Sequence, residues 1–122
     1  MNTSLALRLI ARTIALIEVV LGLLFWTGHA NSLVIVHIVL GLILVLDLWA
    51  AAAFALRSGG SVPLAAVAFL WGLAMTVFGL LQARVLSGSD HFLIQIVHLA
   101  VGLAAVGLVE VLARAPRSRA TI

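Results

Sequence analysis

The chain has 122 residues, 65% of them hydrophobic and 9% charged, an apolar excess that excludes a soluble domain of this size and makes it an integral membrane protein. Cysteine is absent, which excludes thiol–disulfide chemistry, iron–sulfur clusters and thiolate metal sites. The net charge of +3 rests on seven arginines with no lysine; six of them can be assigned to one side of the predicted spans, so the charge reports topology and not nucleic acid binding.

Four apolar segments reach the length of about 20 residues needed to cross a hydrocarbon core. They predict helices over about 9–27, 33–56, 63–83 and 92–113, an all-α four-helix bundle that occupies residues 1–122 as a single transmembrane domain with a basic tail at 114–122. Helix 1 is preceded or opened by Arg8 and Arg12. With the Gly28-His29-Ala30 stretch that follows it, the segment has some features of a signal peptide. Glu18 interrupts the apolar run, however, and helix 3 echoes it, so helix 1 is read as retained.

Asn31 or Ser32 can cap helix 2, and Arg57-Ser58-Gly59-Gly60-Ser61 forms a short turn into helix 3. Ser61 can cap that helix, with Pro63 in its first turn. Ser89 or Asp90 can cap helix 4, and Pro116 stops it. Arg8, Arg12, Arg57, Arg114, Arg117 and Arg119 lie on one side, and Arg84 alone lies on the other. The positive-inside rule then places both termini in the cytoplasm of a bacterial-type inner membrane, with loops 27–32 and 84–91 outside. His29, His37, His91 and His98 all fall in the outer half.

Two echoes define a tandem repeat of helical hairpins. Val36-His37-Ile38-Val39-Leu40-Gly41-Leu42 recurs as Val97-His98-Leu99-Ala100-Val101-Gly102-Leu103, and Val20-Leu21-Gly22-Leu23-Leu24 as Val77-Phe78-Gly79-Leu80-Leu81. The first pair is offset by 61 residues and the second by 57, so the second copy carries its extra residues most simply in its outer loop. Each copy has an even number of spans. Helices 2 and 4 are therefore parallel, and His37 and His98 approach from the same side at matching depth.

An ionisable side chain inside a bilayer is costly and usually functional. Haem iron accepts an imidazole on each face, and bundles commonly build cofactor sites from facing helices. Gly41 and Gly102 follow their histidines by four residues, about 40° around the helix, where a larger side chain would collide with a porphyrin. Either motif alone is equally an ordinary feature of close helix packing. The duplication favours haem b held by His37 and His98, with Gly41 and Gly102 making room, and a haem explains why the bundle tolerates two buried imidazoles without acidic partners nearby.

At the outer surface, His29, Arg84 and His91 are candidates to meet haem propionates or a quinol headgroup. Gln95, about one turn from His98, can bond an imidazole, a propionate or another helix. Trp26 and Trp49 read as interfacial anchors and Trp71 as core. Glu110 has Arg114 four residues on, an ordinary ion-pair spacing. Glu18 and Asp47 lie level near mid-membrane, Glu18 within a small-residue seam of Ala11, Ala15 and Gly22. Gly72, Thr76 and Gly79 form a similar seam on helix 3.

On His37, His98, Gly41 and Gly102 the chain resembles the four-helix membrane b-type cytochromes of the cytochrome b561 kind. That resemblance implies a haem b protein performing one-electron transfer, with a quinone or a redox protein as partner. The chain has one histidine on each ligand helix, not two spaced for stacked haems. Two other functions remain open: a proton-coupled transporter or channel organised on Glu18 and Asp47, and a non-catalytic membrane subunit. Quinol- or oxidant-linked redox activity and assembly as a homo-oligomer are both compatible with these residues.

Overall fold

The computed structural model describes residues 1–114. Within them lie four helices: α1 (Thr3–Trp26), α2 (Val34–Arg57), α3 (Val62–Leu81) and α4 (His91–Leu112). All four are long and apolar enough to cross a membrane, and the chain is a multi-pass membrane protein with a four-helix bundle fold. Pro116, Arg117, Arg119 and the rest of the basic tail lie outside the described residues.

The first helix starts six residues before the expected boundary. Asn2 caps it, its Oδ1 accepting from the Leu5 amide at 2.8 Å. Arg8 and Arg12 consequently sit inside the helix, and both reach Glu110 on α4, with Nε–oxygen distances of 2.8 and 2.6 Å. Glu110 thus joins the first helix to the last, and the expected pairing with Arg114 gives way to this interhelical bridge.

Ser61 caps α3 as expected, accepting from Leu64 N at 3.3 Å with Pro63 in the first turn. Neither Asn31 nor Ser32 caps α2. They belong to a 3₁₀ turn, Asn31–Leu33, that feeds directly into it. Asp90 occupies the cap position of α4 without a side-chain hydrogen bond. A second 3₁₀ turn, Gln82–Arg84, prolongs α3, and the extra length of the second copy falls in the loop between that turn and α4.

α2 packs against all three other helices, whereas α1 and α3 hardly meet. The bundle has two unlike ends. Toward the end that carries Arg8, Arg12, Arg57 and Arg114, the core is closed by small side chains: Ala11, Ala51, Ala52, Ala68, Ala105 and Ala113 are all fully buried. Leu48 and Val109 are the largest fully buried side chains between them. Gly72 belongs to this end too. Trp49, expected at an interface, lies against Gly72 and donates its Nε1 proton to the Phe69 carbonyl at 3.3 Å. Trp71 is half-buried and donates to the Val101 carbonyl at 3.1 Å.

Candidate functional site

At the opposite end, the four helices enclose a cavity of about 430 Å³. Its size lies within the roughly 300–1,000 Å³ range usual for cofactor and small-molecule sites. Each helix brings one glycine to its wall: Gly22, Gly41, Gly79 and Gly102. These are the four glycines of the two sequence echoes. A Cβ on Gly22 or Gly102 would meet nothing within 4 Å, so these two border open space; Gly22 and Gly79, expected to be packing seams, form part of the cavity wall.

His37 from α2 and His98 from α4 project into this space with ring centroids 6.0 Å apart and planes inclined by 57°. The expected convergence at equal depth is therefore present. An aromatic ring backs each imidazole, Phe25 against His37 at 5.4 Å and Phe78 against His98 at 5.8 Å. Gly79 lets α3 come close to His98, since a Cβ there would lie 3.6 Å from Cε1.

The sequence reading had the imidazoles without an acidic neighbour. That expectation is overturned by Glu18, whose Oε2 lies 2.8 Å from His37 Nδ1. This is a short contact and not an aligned hydrogen bond; His37 Nδ1, Glu18 Oε1 and His98 Nδ1 are all buried without a hydrogen-bond partner. Glu18 comes from the seam containing Ala11 and faces the bundle, as its position predicts. Asp47 is separated from it: the residue is buried outside the cavity wall, with Oδ2 unpartnered in the closed part of the core.

Nearer the mouth, the wall contains His91 and Gln95 as expected, together with Gln82, which sequence reasoning did not single out. His91 opens α4, and its Nδ1 approaches the Val85 carbonyl at 3.3 Å. His29 and Arg84 are exposed and stand outside the cavity wall. The His29 ring bonds locally to Thr27 Oγ1 at 3.1 Å. The signal for Gln82 was present in the repeat, because it occupies the position held by Phe25 in the first copy.

Among the described residues, no three histidine, aspartate or glutamate side chains form a group able to hold a bare metal ion. Two imidazoles are sufficient for a metal that brings its own equatorial nitrogens. An apolar chamber with paired imidazoles, glycine walls and amides near its opening has the donor set and the room for a planar metallo-macrocycle. Neither a family model, nor a curated protein, nor a solved structure matches the chain.

Proposed function

We propose that the chain is a membrane haem b protein in which His37 and His98 would hold the iron and the cavity would take the macrocycle. The observation that carries this reading is the 6.0 Å separation of the two imidazoles across a glycine-walled space. Two imidazoles bound on opposite sides of one metal through bonds of about 2 Å stand with ring centres about 6 Å apart.

Haem, when bound, supplies one-electron redox chemistry. The residues of the chain do the rest. His37 and His98 present a ring nitrogen from each side, while Gly22, Gly41, Gly79 and Gly102 keep the space between the helices clear. Phe25 and Phe78 brace the imidazoles, and the apolar wall keeps water from the centre. Gln82, His91 and Gln95 offer hydrogen bonds near the mouth, where the polar edge of such a cofactor would lie. With two protein ligands the site is suited to electron transfer, with a quinol or a redox protein as partner. The arginine-rich end is assigned to the cytoplasm of a bacterial-type inner membrane, which sets the cavity toward the outer face.

The test is the visible spectrum of the purified protein in oxidised and reduced states. A low-spin, six-coordinate b-type spectrum that sharpens on reduction is expected, and His37→Ala and His98→Ala should each remove that six-coordinate signature. Its persistence in both variants, or its absence from the parent protein, overturns the assignment.

A further inference from the structure

The tandem repeat makes the two histidines formally equivalent, but their surroundings are not. Glu18 contacts His37, and the residue that holds the same place in the second copy is Met75, which also lines the cavity. The second copy therefore carries a thioether side chain at the position where the first carries a carboxyl group. Neither Nδ1 makes an aligned hydrogen bond, but that of His37 has a carboxyl oxygen at 2.8 Å, whereas the close neighbours of the His98 ring are Phe78 and Gly79.

A carboxylate beside Nδ1 favours the tautomer with the proton on Nδ1. It leaves the Nε2 lone pair free to bind a metal and biases the orientation of the ring; loss of an outer partner typically costs 10–100-fold in metal affinity. His98 receives none of this help. Resting on the haem reading above, we propose that His37 is the fixed ligand, positioned by Glu18, and His98 the exchangeable one, so that a small neutral diatomic molecule binds the iron on the His98 side. The exchange breaks one imidazole–iron bond and makes one ligand–iron bond, without a change of iron oxidation state.

The experiment uses the reduced holoprotein and carbon monoxide as the probe. His98→Gly should keep its haem and bind carbon monoxide at once, whereas His37→Gly should lose most of its haem. Added imidazole should restore a six-coordinate spectrum to His98→Gly. Glu18→Leu should abolish the difference in haem retention between the two histidine variants, and Glu18→Gln, whose amide oxygen keeps a partial negative charge beside Nδ1, should recover part of it. Met75→Glu should slow carbon monoxide binding.

A haem-free readout separates this proposal from the one it rests on. Nitrogen NMR of the imidazoles should show His37 held in its Nδ1–H tautomer and His98 not, with the preference lost in Glu18→Leu. If the parent protein binds no haem, the haem reading fails and this inference with it. If haem binds but the two histidine variants retain it equally, or in reverse order, only this inference fails; indistinguishable tautomers overturn it as well.

Discussion

The two ends of the bundle are both built on small residues, with opposite results. At the arginine-rich end, alanines meet neighbouring helices directly and are fully buried. At the histidine end, glycines stand where the helices part, and two of them face open space. A methyl group fills the contact in one case; in the other, its absence helps leave a chamber. Small residues in a membrane helix thus mark close packing or its opposite, and only the neighbouring helix decides which.

Enlarging the small residues is the strongest way to sharpen that contrast. Ala51→Leu or Ala105→Leu should destabilise the bundle by about 1–3 kcal/mol or more, as overpacking of a filled core does. The effect is read as a lower denaturation midpoint in detergent. Gly22→Leu and Gly102→Leu should leave insertion and that midpoint nearly unchanged while, on the proposed haem reading, cofactor occupancy falls steeply. Equal loss of fold in both sets would show that the chamber is as closed as the core.

Within α3, a smaller change draws the same line. Gly72→Ala would drive a methyl group into the Trp49 indole and to 3.1 Å from Val45 Cγ1, and should cost stability. Gly79→Ala would place its Cβ 3.6 Å from His98 Cε1, an ordinary contact, and should be tolerated. Thermal denaturation of the two variants should separate them, and similar losses would contradict the difference in packing.

Asp47 introduces a polar atom into the closed end without a partner. An unsatisfied buried polar group costs roughly 1–3 kcal/mol, so Asp47→Ala should raise the denaturation midpoint and leave the haem spectrum alone. A fall in stability would mean that the carboxyl has a partner in the membrane. The smallest effect is expected from Glu110→Ala. Its bridges run to arginine side chains that are 28% and 53% exposed, where water screens the charges, so their loss should lower stability slightly, and less so at high salt.

Much of this architecture was legible in the sequence because a bilayer asks simple questions of length and apolarity. Helix existence, the parallel repeat and the meeting of His37 with His98 all followed from those patterns. Misjudged features depended on rotation about a helix axis or on which helices touch. Glu18 lies on α1 and His37 on α2, and no periodicity along either helix says that their side chains face each other. Glu110 has Arg114 at an attractive spacing, but α1 runs beside it and supplies two arginines. The start of α1 was hidden by those same arginines, which resembled a flank and were helical. His29 and Arg84 shared the right end of the bundle with the cavity without facing it, a distinction that depends on loop geometry.

The cavity wall includes Leu23, Leu42, Leu80 and Leu103, side chains that are also exposed on the outer surface of the bundle. Exposed leucines on a membrane helix face acyl chains, so the chamber adjoins the hydrocarbon laterally. An apolar guest then reaches the histidines by first dissolving in the bilayer, and its working concentration is set by its partition coefficient. Binding strengths quoted against aqueous concentration combine two equilibria, and a guest that gains ten times more from the lipid will look ten times tighter without touching the site any differently.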